Sequence, residues 1–300
     1  MMVGANSRKK IGKSFRNALG RIYPKALCSY LYYRTFGKKL DWKNPKSFNE
    51  WVCWLEYNTD TSLWSILADK YRMRGWVTEN GFGEHLPELH GVYYRAEQID
   101  FDKLPEKFVL KPNNGCGQVI LVKDKSKIDR KEIIKTAEKW LKTIFGYETA
   151  EPHYVKIPKC IVAEELLENP DGTSLIDYKW YCFNGEPKLV QVLSNRDYSS
   201  SHKFNYQIYD TEWNPHDEFM RKKNLKADVK KPMCLEQQLE ICRKLSKGFP
   251  QIRIDLYEVN NKVYIGELTL TNAAGKDTDY TEDALLLLGS YIDKNLTKRR

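Results

Sequence analysis

From Arg253 to Gly275 the chain alternates as two strands joined at Asn260-Asn261 do. In the first arm Ile252, Ile254 and Leu256 share one face and Arg253, Asp255 and Tyr257 the other; in the second, Val263, Ile265, Glu267, Thr269 and Thr271 share a parity. The Asn-Asn pair suits a tight turn between them. Each arm therefore carries a carboxylate in mid-strand. An isolated buried charge costs several kcal/mol as a rough figure, so two acids on neighbouring strands call for a cation between them. Hard oxygen ligands of this kind suit Mg2+, which takes one or two carboxylates and completes its shell with water and phosphate oxygens. Nucleotide phosphate is the ligand this pattern points to.

Other patterned stretches surround the hairpin. Helical spacing predicts helices over 24–36 and 47–58, the second opened by a capping box in which Ser47 and Glu50 satisfy each other's backbone donors. A further helix is expected from Asp60 to about Val77, carrying Lys70, Arg72 and Arg74, and a strand near Val92. From Lys107 the pattern reads strand, turn, strand: Phe108 to Lys111, the turn Pro112-Asn113-Asn114-Gly115-Cys116-Gly117, then Gln118 to Val122. Such a turn brings backbone N–H groups close to phosphate, with Lys111 adding a point charge before it, although the Gly-Lys-Ser/Thr ending of a Walker loop is absent.

Residues 131–145 are expected as a helix burying Ile133, Ile134, Ala137, Trp140, Leu141 and Ile144. Strands follow at 160–167, 177–183, 187–194 and 205–209, with an Asn184-Gly185 hairpin turn, and helices at 235–247 and 281–296. The fold class is α+β, antiparallel sheets backed by helices.

Composition narrows the field. Three hundred residues with 41% hydrophobic and 13% aromatic content suffice for a large core. Seven cysteines without a Cys-x-x-Cys pair suit reduced thiols in a cytoplasmic protein, and five scattered histidines do not suggest zinc. No apolar run approaches the roughly 20 residues of a membrane span, and the first residues lack the apolar centre of a secretory signal. The net charge of +9 suits an anionic substrate, an anionic membrane surface or nucleic acid, and no nucleic-acid module is present. Arg8, Lys9, Lys10, Lys13, Arg16 and Arg21, interspersed with Ile11, Phe15, Leu19 and Ile22, read either as a basic amphipathic helix peripheral to a membrane or as a solvated terminus.

Five motifs stand in a telling order: Lys111 with its Gly-rich turn, Val162-Ala163-Glu164-Glu165, Asp177-Tyr178-Lys179, Arg253-Ile254-Asp255 and Gly266-Glu267-Leu268-Thr269. Together they resemble the ATP-grasp superfamily, and more narrowly the TupA-like ATP-grasp proteins linked to teichuronopeptide and other bacterial surface polysaccharides. The resemblance runs from about Asp41 to Leu288. It implies an ATP-grasp fold with a basic, helical framing region over 1–100, a small lobe with a lid loop over 101–170, and a large lobe over 171–300 holding the metal and phosphate site.

By the same resemblance Lys111 and Lys70 contact ATP phosphates, Asn114, Gly115 and Gly117 belong to the closing loop, and Glu164 or Glu165 lies at the adenine and ribose hinge. Lys179 joins the nucleotide contacts, while Asp255 and Glu267 are the acidic metal ligands. Thr269 stands where many relatives have asparagine, and its hydroxyl is the poorer metal ligand. The implied activity is Mg2+-dependent ligation of a carboxylate to an amine through an acyl phosphate. Arg253 is read either as holding the substrate anion or as neutralising the acids. An anionic sugar or glycan and an amine are the expected substrates.

Other chemistry competes. Arg196, His202 and Lys203 lie in a Ser-rich loop suited either to an acidic sugar or to solvent. Asp277-Thr278-Asp279 fits the Asp-x-Asp pattern of sugar-nucleotide glycosyltransferases, and a noncatalytic ATP-binding scaffold is a third reading. Cys182 reads as a buried thiol and Cys116 as a spectator in the loop.

Overall fold

Ser47 caps the helix that begins at Phe48 as the capping box requires: its side chain accepts from the Glu50 N–H at 3.4 Å and Glu50 accepts from the Ser47 N–H at 3.0 Å. The computed structural model describes residues 12–195, 204–221 and 225–297. Its first helices are α1 (Lys13–Ile22), α2 (Pro24–Phe36) and α3 (Phe48–Asn58). Trp51 and Leu55 of α3 are buried against the core, and Trp54 packs on its rim.

The helix expected over 60–77 is broken in two, α4 (Trp64–Leu67) and α5 (Met73–Glu79). Asp69 causes the break, because its carboxylate accepts from the N–H groups of Tyr71 at 2.9 Å and Arg72 at 3.2 Å, competing with the helical bonds. The Lys70 N–H turns away to the carbonyl of Asn113 at 2.9 Å. Lys70 thereby sits on a bend between helices.

A four-stranded antiparallel sheet follows, built from β1 (Leu89–Tyr93), β2 (Phe108–Pro112), β3 (Ile120–Val122) and, beyond α6 (Arg130–Lys142) and α7 (Pro152–Val155), β4 (Ile161–Glu164). The order is β1-β4-β2-β3, so one of its two edge strands, β1, is drawn from residues before 101. Phe108, Leu110, Ile161 and Ala163 pack with Ile133, Ala137 and Trp140 of α6. The helix ends at Lys142, earlier than the spacing predicts, and Ile144 is half exposed instead of buried.

The larger sheet holds β5 (Asp177–Phe183), β6 (Glu186–Ser194), β7 (Asn205–Tyr209) and β8 (Leu225–Lys226) and, after α8 (Leu235–Leu245), β9 (Ile252–Val259) and β10 (Lys262–Thr269). Its order is β10-β9-β5-β6-β7-β8, antiparallel apart from the short β7–β8 pair. Consecutive positive φ angles at Asn184 and Gly185, and at Asn260 and Asn261, mark tight hairpin turns where the side-chain types favour them. One face of this sheet buries Trp180, Ile254 and Leu268. The last α-helix, α9 (Glu282–Ser290), is capped by Thr281 and is shorter than the expected 281–296, a 3-10 turn at Lys294–Thr297 following it. Among the described residues no helix is long and apolar enough to cross a membrane.

Strict alternation along β10 would place Glu267 with Val263 and Ile265 on the core face. The structure departs from it. Ile265 faces Leu256 but Glu267 faces Asp255, leaving Gly266 as a bulge residue. The bulge reverses the parity, sending Leu268 into the core and Glu267 and Thr269 to the face of Arg253 and Asp255. A Cβ on Gly266 would lie 2.6 Å from Cε2 of Tyr257. Gly266→Ala is accordingly expected to destabilise the fold by about 1–3 kcal/mol and to weaken Mg-ATP binding, since the ring or the bulge must shift. Denaturant unfolding and calorimetric titration check both; wild-type values in each would mean the bulge tolerates a side chain.

Candidate active site

Three adjacent strands of the larger sheet carry one row of charge. Lys179 on β5 faces Asp255 on β9, and Asp255 faces Glu267 on β10. The next row along places Tyr181 opposite Arg253 and Arg253 opposite Thr269. Lys179 donates from Nζ to Asp255 Oδ2, while Arg253 donates from Nε to Oδ1 at 2.6 Å and from Nη2 to Oδ2 at 2.9 Å. Burial by itself would raise the Asp255 pKa, but the charges of Arg253 and Lys179 outweigh it and hold the carboxyl at about 2. Asp255 is therefore ionised across the working pH range.

Arg253 is itself held in place. Nη2 also donates to Thr269 Oγ1 at 3.1 Å, and Nη1 donates to Asn272 Oδ1. These bonds use four of its five N–H donors. Thr269, expected as a metal ligand, thus gives its oxygen to the guanidinium. Asn272, which the sequence reading missed, spans from Arg253 to Asp277, donating from Nδ2 to Oδ2 at 2.9 Å. No local pattern marks Asn272, because its bond to Arg253 forms only when the loop after β10 folds back on β9.

The second wall comes from the small sheet. Lys111 and Glu164 lie diagonally across β2 and β4 and form an ion pair. Glu164, 3% exposed, also receives Arg74 at 3.3 Å, and Arg74 donates to the carbonyl of Pro87 at 2.7 Å. Arg74 had no assigned role; the only signal was its place in the cation-rich run of Lys70, Arg72 and Arg74. Glu165 points elsewhere, its carboxylate accepting from the Glu88 N–H at 3.2 Å.

The loop after β2 is anchored at one end and open at the other. Asn113 is fully buried, with its side chain bonded to Pro158 and Cys160, and Asn114 is buried beside it. Gly115 and Gly117 take positive φ angles of 95° and 73°, which glycine adopts without strain, and Cys116 between them is exposed. Lys70 joins the walls. Its Nζ donates to the Gly115 carbonyl at 2.8 Å and lies 3.9 Å from Glu267 Oε1.

Five cations, Lys70, Arg74, Lys111, Lys179 and Arg253, thus meet three carboxylates, Glu164, Asp255 and Glu267. The two-charge excess of cations suits a polyanion. Among the described residues no group of three or more His, Cys, Asp and Glu side chains gathers to hold a metal ion. A cation here would take two protein carboxylates and find its remaining ligands in phosphate and water, as Mg2+ does. Glu267 fits that role, being 25% exposed and only loosely paired, and Asp255 fits it by remaining ionised.

The Asp-x-Asp stretch is built differently. Asp277 is buried, its oxygens accept from Asn272 and from the Asp279 N–H at 2.8 Å, and burial raises its pKa. Its oxygens serve the loop after β10, not an open cation site. Cys182 is a buried thiol. Arg196, His202 and Lys203 lie outside the described residues.

Among solved structures, an L-amino acid ligase from Bacillus licheniformis is similar at 17% identity and a TM-score of 0.45, over 72% of this chain and 46% of that one. A D-alanine-D-alanine ligase from Helicobacter pylori is similar at 18% identity and 0.41, over 76% and 61%. The chain therefore spans about half of the first and three-fifths of the second. A D-cycloserine synthetase is similar at 13% identity and 0.46, over 93% and 96%. A comparison with curated proteins gave no match. The family model described as TupA-like ATP-grasp matches residues 50–293, a span that runs from α3 past α9 and takes in both sheets and every residue of the charged cluster; this chain belongs to the TupA-like ATP-grasp family.

Proposed function

We propose that this chain is a Mg2+- and ATP-dependent carboxylate-amine ligase that activates its acid as an acyl phosphate. The observation that carries this reading is Lys70, whose ammonium touches both the glycine loop of the small sheet and the acidic strand of the large one. A triphosphate between those walls would meet fixed positive charge on both sides.

A bound Mg2+ would supply positive charge to offset the negative charge that develops on the transferring phosphoryl group. Asp255 and Glu267 would hold it, and Lys179 and Arg253 keep Asp255 ionised and oriented. Lys111 supplies a point charge to the phosphates. The N–H groups of Gly115 to Gly117 close on the same oxygens and exclude water. A carboxylate oxygen of the acid attacks the terminal phosphorus while the bond to the ADP oxygen breaks. The amine then attacks the acyl carbon, phosphate departs, and the amine's proton is released. Arg253, with one N–H left, faces this region as a fixed cation.

We further read the acid as a uronic acid of a bacterial surface polysaccharide or its precursor, and the nucleophile as an amino acid or related amine. The family's link to such polysaccharides supports this. The purified protein should convert Mg-ATP to ADP and phosphate when given uronic-acid glycans and pooled amino acids, with an amide product seen by mass spectrometry. Hydroxylamine in place of the amine should trap a hydroxamate. Glu267→Gln, which removes charge at nearly constant shape, should reduce turnover about 10²–10³-fold. AMP and pyrophosphate as products would refute the acyl-phosphate route. Activity confined to acids other than sugars would refute the polysaccharide assignment alone.

A further inference from the structure

The charge imbalance of the chain sits at one end. Its first 40 residues hold ten Lys and Arg and no Asp or Glu, out of 49 and 40 in the whole, so the remaining 260 residues carry 39 and 40. Within the described part of this stretch lie α1 and α2, and their exposed side chains are not only basic. Phe15, Ile22 and Tyr23 are 59%, 65% and 65% exposed. Phe15 and Ile22 are seven residues apart, two turns of α1, and so lie on one line of the helix. Arg16 and Arg21 flank that line about 100° to either side.

The opposite side of α1 is fastened to the body of the protein. Gly20 packs so closely on the Tyr147 carbonyl that a Cβ would come within 1.8 Å of its oxygen. Lys13 and Arg16 approach Glu148 at 3.6 and 3.9 Å. The same turn leads to Glu151, whose carboxylate accepts from the Thr271 hydroxyl at 2.5 Å, two residues beyond the end of β10. The exposed face is thus braced against the strand that carries Glu267.

We propose that α1 and the start of α2 dock on an anionic lipid surface, with Phe15, Ile22 and Tyr23 entering the headgroup region and the surrounding basic residues pairing with lipid phosphates. A concentrated positive segment seeks a polyanion, and the apolar side chains select which one. Nucleic acid offers phosphates but no apolar phase for an aliphatic side chain such as Ile22, whereas a bilayer offers both. Docking here would hold the charged cleft at a fixed distance from the membrane, where a lipid-linked acceptor would be found. The docking itself does not rest on the ligase reading.

The test is flotation of the full chain with vesicles of phosphatidylcholine alone or with about 30 mol% phosphatidylglycerol. The anionic vesicles should carry the protein and the neutral ones should not, and about 0.5 M salt should weaken binding. Phe15→Ser combined with Ile22→Ser should lower partitioning about tenfold or more, and Arg21→Glu should also lower it. Both variants should keep the wild-type melting curve, since Phe15, Arg21 and Ile22 are exposed. Failure of the wild type to bind anionic vesicles overturns the proposal. So does undiminished vesicle binding by the serine variant together with displacement by duplex DNA, which would mark a general polyanion site.

Discussion

Asp255→Asn is expected to destabilise the fold by about 3–5 kcal/mol and to abolish measurable Mg-ATP binding. The side chains of Arg253 and Lys179 are 15% and 13% exposed, and both direct charge at this one carboxylate. An amide keeps the shape but leaves two largely enclosed cations facing each other. The depressed pKa gives the same result in another form. A carboxyl held near 2 when folded contributes stability above its unfolded value and loses it as pH falls through the folded value, so the wild type should show no loss from this group between pH 5 and 8.

Stability and binding can be separated. Adding Lys179→Met to Asp255→Asn removes one of the stranded cations and should recover part of the stability without recovering Mg-ATP binding. Denaturant unfolding and calorimetric titration of the single and double variants provide the measurements. An Asp255→Asn protein that binds Mg-ATP as the wild type does would remove Asp255 from the metal site.

Lys111→Ala is expected to lower turnover about 10²–10³-fold with a much smaller effect on folding. Lys111 projects from β2 with 18% of its side chain exposed, and its partner Glu164 keeps Arg74 after the change. No buried charge is stranded, in contrast to Asp255→Asn. Arginine should not restore turnover, because a planar fork replaces a compact ammonium beside phosphate. Rates of ADP release at saturating Mg-ATP, with melting curves for both variants, test the assignment. Unchanged turnover in Lys111→Ala would mean that its pairing with Glu164 is its whole role.

Features decided within a few residues were legible in the chain itself. The Ser47 capping box, the turns at Asn184-Gly185 and Asn260-Asn261, and the strands that alternate around them depend on side-chain types and backbone preferences close in sequence. The order of charged motifs also indicated which strands bear the acids and the lysines. Asp255, Glu267 and Lys111 needed no tertiary knowledge to be singled out.

What the residues around them do was settled by partners far along the chain. Helical spacing carries no sign that Lys70 leaves the helix, because the carbonyl that draws its N–H away belongs to Asn113. Alternation misplaces Glu267, because the bulge at Gly266 follows from how β10 pairs with β9 and from the Tyr257 ring above it. Thr269 and Asn272 become partners of Arg253 only when β9, β10 and the following loop converge. Local preference determined the elements and their chemistry. The directions in which the charges point, and hence the cleft, come from long-range hydrogen bonds and packing, which no short window of sequence contains.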